Sequence, residues 1–252
     1  MNNSQNNPEL NSSGFCTVCN TTHTLSASIA VPHCHNLINK FDKFGRIDFD
    51  SCDSQSDHSF STDYLFGKAR GQMFGVMVYL DTAGKTHTAK AFSGQYNGKW
   101  QANGWVPPII DVKEFDELTG STERKIKSIG REMDKISKET PEHHELGMER
   151  KKLSRELMRK IHAIYRIKNF NGETRSIPEI VNNNKGIPTG TGDCCAPKLL
   201  NYAARNNLIP ISIAEFYYGK ENRSGTKIHK NFYPSCSDKC GLILGYMLCG
   251  LS

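Results

Sequence analysis

Two hydrophobic periods alternate along this chain. From Gln72 to Leu80 the residues are almost continuously apolar, Asp81 to Lys85 carries a turn glycine, and Thr86 to Phe92 alternates apolar with polar. That pattern predicts a β-hairpin. Between residues 113 and 166 the period becomes helical. Ile126, Ile129, Met133 and Ile136 follow a 3-4-3 spacing, and after Thr140-Pro141 the stripe resumes at Leu146, Leu153, Leu157, Ile161 and Ile164. The intervening positions are mostly Lys, Arg and Glu, so an antiparallel helical hairpin with a coiled-coil seam is predicted, with self-association through that seam as an expectation. The chain then returns to strand-like signals. A strand is predicted around Ile164 to Phe170, a turn at Asn171-Gly172, and a helix opening at about Pro197 and ending near Arg205. A buried strand follows from Leu208 to Phe216, then a polar loop from Gly219 to Lys230 and a last helix reaching Leu248.

These elements predict an α/β (α+β) protein, a mixed sheet flanked by helices, built from residues 25–112 and 167–252 and interrupted by the hairpin at 113–166. Residues 1–24, rich in Asn and Ser at the start, read as a disordered tail, and the Asp/Ser-rich stretch 48–63 as a loop. No apolar stretch has the length of a membrane span, and the N-terminus lacks a basic-then-apolar leader pattern. Nine cysteines, an odd number without such a leader, favour the reducing cytoplasm and thiols or metal ligands over disulfides. A net charge of +6 permits a polyanionic partner without demanding one.

The candidate chemistry is concentrated in residues 188–248. Asp193 and Cys194 follow two glycines and precede Cys195, Ala196 and Pro197, where a helix should open; Asp suits the cap and Pro the first turn. Cys236 and Cys240, four residues apart, stand at the start of the next predicted helix. Thiols at helix N-termini suit thiolates, hence a zinc or redox site. Cys194, Cys236 and Cys240 are therefore expected to share one Zn²⁺. Cys195 is an additional thiol there, or a small core residue. Cys16-Thr-Val-Cys19 and Pro32-His33-Cys34-His35 also have zinc-like spacing, with scattered thiols as the alternative, while Cys249 and Cys52 read as ordinary thiols. Lys198 reads as a phosphate contact at a helix start or as a solvated lysine. Glu215, directly after an apolar strand run, either pairs structurally or acts in the site. In the hairpin, Arg150, Lys151, Lys152, Arg155, Arg159 and Lys160 could contact RNA phosphates or form a solvated face. Trp100 and Trp105 could stack on bases or cover a sheet edge.

Several motifs together carry a resemblance: Gln72-Met-Phe-Gly-Val, Ala91-Phe-Ser-Gly, Gly104-Trp-Val-Pro-Pro, Ala196-Pro-Lys-Leu-Leu, Ala214-Glu-Phe-Tyr-Tyr-Gly and Phe232-Tyr-Pro-Ser-Cys-Ser-Asp-Lys-Cys. In this order they resemble the long N-terminal extension of a group of bacterial RluA-type RNA pseudouridine synthases, over residues 25–250. The resemblance implies that Asp193-Cys194, Ala196 to Lys198, His229, Cys236 and Cys240 belong to one pattern, with His229 as a fourth zinc ligand if the site is closed. Cys195 stands where Ala is expected. The synthase's His-Arg-Leu-Asp motif is absent from this sequence, so pseudouridine formation is not expected of this chain by itself.

The element order is also similar to the zinc-dependent cytidine deaminase fold. That chemistry needs three metal ligands, a water and a Glu that moves protons. Here Ala196 or Pro197 stands where the Glu should be, so Asp193 or Glu215 would have to act as the catalytic acid. Three functions follow from the sequence. The first is a zinc-binding accessory module in RNA modification that binds tRNA, rRNA or a partner synthase. The others are a nucleobase or nucleotide deaminase and a structural zinc/coiled-coil scaffold.

Overall fold

The computed structural model describes residues 10–50, 57–181 and 186–251. Cys52 lies outside these residues, as do Met1 to Glu9 of the expected tail. At the centre is a four-stranded sheet made from β3 (Gln72–Leu80), β4 (Thr86–Phe92), β7 (Ile209–Tyr218) and β8 (Phe232–Tyr233), in the order β4-β3-β7-β8. Every pairing in it is antiparallel. This corrects the expected mixed sheet. After β4 the chain crosses over and lays β7 beside β3, so no two parallel strands become neighbours.

Both faces of the sheet are covered, and strand alternation decides which residue goes where. Phe74, Val76 and Val78 of β3, with Ala214, Phe216 and Tyr218 of β7, point to one face. There α1 (Val31–Phe44) buries Cys34, Leu37, Ile38 and Phe41. Pro32 opens α1 in its first turn, and Gly45 ends it in a left-handed conformation at φ 64. Met77 of β3 and Ile213 of β7 point to the opposite face, onto α5 (Cys195–Arg205) and α6 (Gly241–Leu248). That face also receives Tyr165, Ile167 and Ile177 from a small β5 (Ile167–Lys168), β6 (Thr174–Arg175) and α4 (Ile177–Ile180) unit.

Residues 10–24 are not a disordered tail. β1 (Ser12–Cys16) and β2 (Thr21–Leu25) form an antiparallel hairpin with Ser12 opposite Leu25 and Cys16 opposite Thr21. The apolar pattern is hidden because the inward positions of β1 are small or polar: Ser12 and Cys16 are buried, and Gly14 lies against the backbone of Gly245 in α6. A side chain at either glycine would overlap the other element.

The helical insertion consists of α2 (Val112–Met133) and α3 (Pro141–Ile164), capped by the side chains of Asp111 and Thr140. The two helices run in opposite directions: Lys125 pairs with Glu149 at 2.8 Å, and further along Met133 lies against Gly147. Only Thr119, Ile129, Leu157 and His162 are buried along these two helices, so most of the pair stands in solvent. Among the described residues no helix is long and apolar enough to cross a membrane.

Candidate functional site

A cleft of about 900 Å³ opens where the N-terminus of α5 meets the segment before α6, above the middle of β7. Its lining includes Gln72, Asp193, Cys194, Glu215, Ser235 and Cys236. Alternation along β7 turns Glu215 away from the aromatic α1 face and underneath α5. Its carboxylate accepts the backbone N–H of Ala196 and the Ser235 hydroxyl at 2.7 Å. Ser235 also lies 2.6 Å from the Ser12 hydroxyl of β1, which ties the hairpin to the cleft floor. Burial pushes the Glu215 carboxyl up to about 7, against the lowering effect of those two hydrogen bonds.

Asp193 does not cap α5. The N-cap is Cys194, without a side-chain hydrogen bond, and Asp193 instead accepts the Tyr165 hydroxyl at 2.6 Å. Burial raises the Asp193 carboxyl above the usual range, opposed by that bond and by nearby positive charges. Lys198 is not solvated. It is buried, and its ammonium donates to the carbonyls of Phe92 at 2.9 Å and Gly94 at 2.7 Å, holding the loop after β4 against α5.

The Cys194 thiol touches both Cys236 and Cys240. Its bond with Cys236 favours the thiolate, but the bond with Cys240 and burial outweigh it, so the group is pushed up. Cys236 is raised by its contact with Cys194 and by burial. For Cys194 and Cys236 the shift is therefore away from the expected thiolate, and Cys236 lies in the segment before α6 rather than on the helix. Cys195 is fully buried, with its thiol aimed at the Met73 carbonyl at 3.4 Å, and so is a core residue. His229 is not with them. Its Nδ1 accepts the backbone N–H of Gly219 at 3.0 Å, and its ring packs on Phe66 and Tyr218.

The ligand atoms that gather most tightly lie elsewhere. Among the described residues, Cys16, Cys19, His23 and Cys249 place theirs all within 4.8 Å of one another, a set that could hold a metal ion. Cys194, Cys236 and Cys240 do not form such a set. Cys16 ends β1, Cys19 lies in the β1–β2 turn, His23 is on β2, and Cys249 caps the end of α6. The Cys19 thiol lies 3.0 Å from His23 Nε2, and this hydrogen bond holds it down at about 7. The Cys16-x-x-Cys19 spacing is visible in the sequence, but Cys249, far along the chain, is not. Pro32 to His35 forms no part of the cluster, because this segment is the first turn of α1. Cys34 is buried there with its thiol toward the Ala214 carbonyl at 3.4 Å, and His35 packs on Phe232.

Arg150, Lys151, Lys152, Arg155, Arg159 and Lys160 are all exposed along α3, and none forms an ion pair among the described residues. Arg150, Lys151, Arg155 and Arg159 rim a groove of about 830 Å³ whose floor includes Met133, Met158 and Val181. Trp105 is not available for stacking on a base. It is buried among Phe41, Phe74 and Phe92, and its indole N–H donates to the Ile47 carbonyl at 3.0 Å. Trp100 is half-buried and packs edge-on against Phe115 at 5.2 Å. No family model matches this chain, and no curated protein or solved structure matches it.

Proposed function

We propose that this chain is a zinc-binding accessory module of RNA modification, of the kind that extends RluA-type pseudouridine synthases, and that it contacts tRNA or rRNA through α3. The observation that carries the reading is the row of exposed cations on α3, unpaired among the described residues, four of them around one groove. Cations without acidic partners are available to phosphates, and each contact contributes a salt dependence of about −0.7 on single strands. Zinc belongs to this reading through Cys16, Cys19, His23 and Cys249. Titration of labelled tRNA and rRNA fragments at two salt concentrations tests the RNA contact, with a variant carrying Lys151→Glu, Arg155→Glu and Arg159→Glu. Binding that weakens with salt and is lost in the variant supports the proposal. Equal binding by both proteins, or none at low salt, refutes it and favours α2–α3 as a coiled-coil docking or self-association element.

A second reading is a deaminase-fold enzyme acting on a nucleobase or nucleotide, and Glu215 favours it. A carboxyl from β7 that bonds to the Ala196 N–H could serve in place of the Glu missing after Cys194. Such a group could take a proton from an attacking water and deliver it to the departing amine, which leaves as ammonia. Ammonia release from a panel of amino-bearing nucleosides and bases, abolished by Glu215→Gln, is the expected result. A panel with no release removes the reading.

A further inference from the structure

We propose that Cys16, Cys19, His23 and Cys249 bind one Zn²⁺ as a closed, tetrahedral structural site that clamps the β1–β2 hairpin onto the end of α6 and so holds one wall of the cleft in place. The inference rests on the zinc part of the proposed function and is independent of the RNA contact.

The ligand chemistry and geometry fit. Three thiols and one imidazole form a set used by structural zinc, which takes four protein ligands and leaves no open position. Zinc bonds of about 2.3 Å to sulfur and 2.0–2.1 Å to nitrogen separate neighbouring ligands by roughly 3.5–3.8 Å. All four ligand atoms here lie within 4.8 Å of one another, and the Cys19–His23 pair lies at 3.0 Å, so sub-ångström shifts convert the cluster into a coordination shell. Cys16 ends β1 and Cys19 lies in the four-residue turn that follows, where Asn20 adopts a left-handed conformation at φ 56. The two thiols come into contact across it. Outside the ligands, the Asn171 side chain donates to the Cys249 sulfur at 3.4 Å, the kind of outer hydrogen bond that orients a metal ligand.

The fourth ligand arrives through packing. Gly14 and Gly245 have no side chains, so β1 lies directly on α6 and the helix end comes up under the turn. The hairpin contributes little apolar surface of its own, with Phe15 and Val18 exposed. A two-stranded hairpin of this kind is marginal without additional support. A metal shared between its turn and the C-terminus of α6 supplies that support. The same hairpin places Asn11 and Ser13 in the cleft lining and Ser12 against Ser235, the hydrogen-bond partner of Glu215. The metal is thus linked to the cleft through a single short strand, without being one of its reacting groups.

The test uses the full chain. Elemental analysis is expected to give about one zinc per chain, lost in Cys19→Ser and in Cys249→Ser and retained in Cys194→Ser. Because a ligand variant could simply misfold, the wild type is also exchanged with Co²⁺. The absorption spectrum is expected to show tetrahedral bands with charge transfer from three thiolates. Alkylation of the native chain adds a third readout: Cys19, exposed in the fold, is expected to be protected until a chelator is added and to react quickly afterwards. Absence of metal from the wild type overturns both the clamp and the zinc part of the proposed function. Metal that survives Cys19→Ser and disappears in Cys194→Ser overturns the clamp alone and moves the zinc to the cleft. RNA titrations on the same samples report separately on α3.

Discussion

Ser235 donates its hydroxyl to Glu215 across 2.7 Å inside the fold, and Ser12 stands 2.6 Å behind it. Burial of this carboxyl makes stability depend on its protonation, and the hydroxyl only partly offsets that. Burial lifts Glu215 from 4.5 to about 7, so between these values the folded chain holds a proton that the unfolded chain has released. The stabilisation is complete below about 4.5 and disappears as pH rises through 7, a change on the order of 3 kcal/mol. Glu215→Gln keeps a neutral hydrogen-bonding group. Denaturant midpoints at pH 5 and pH 8 are expected to fall with pH in the wild type and to fall less in the variant. Parallel behaviour of the two proteins would show that Glu215 is ionised in the fold.

Gly14 and Gly245 make the closest approach between hairpin and helix. Gly245→Ala is expected to push β1 off α6 and to cost about 1–3 kcal/mol through overpacking. Urea unfolding measures the cost. Zinc content of the same variant is expected to drop, because Cys249 follows the helix that moves. A variant of wild-type stability would mean that the two backbones are not in contact.

Trp105 offers a contrast between core and surface aromatics. Trp105→Ala is expected to destabilise by about 3–5 kcal/mol, because a fully packed ring is replaced by a cavity. Trp105→Phe keeps most of the ring volume but leaves the Ile47 carbonyl without its donor, and is expected to cost about 1–3 kcal/mol. Thermal or urea denaturation ranks the two. A Trp105→Ala protein that unfolds like the wild type and binds RNA more weakly would return Trp105 to an exposed role.

The sequence carried the parts of the fold whose signals are periodic. The run from Met73 to Leu80, the stripe from Ile126 to Met133 and the strand ending at Phe216 each correspond to an element with the expected type, while Ile136 falls just past the end of α2. Small inward residues hid the hairpin. Ser12, Gly14 and Cys16 alternate correctly, but they do not look apolar, so the pattern resembled a polar tail. In the cleft, Cys194 meets Cys236 and Cys240 but the three do not gather into the expected zinc set, and the capping role assigned to Asp193 failed because Tyr165 competes for its carboxylate. His229 was displaced by a local demand, the Gly219 N–H and two aromatic rings. The metal ligand set was half legible: a two-residue spacing is local, whereas the partnership of Cys16 with Cys249 exists only after β1 has docked on α6.

The strand order also has a consequence for how the chain reaches this fold. Val76 of β3 pairs with Lys90 on one side and with Ala214 on the other, and the second partner is synthesised only after the whole α2–α3 insertion and α5. On a ribosome, the β3–β4 hairpin therefore emerges with the β7 edge of β3 unpaired and the face later covered by α5 and α6 open, the condition in which strands find wrong partners. Closing so long a loop before any contact rewards it slows folding. The α2–α3 pair, built from local contacts, can form during this wait. Chaperone dependence of the nascent chain should end when β7 leaves the exit tunnel, because that strand closes the open edge.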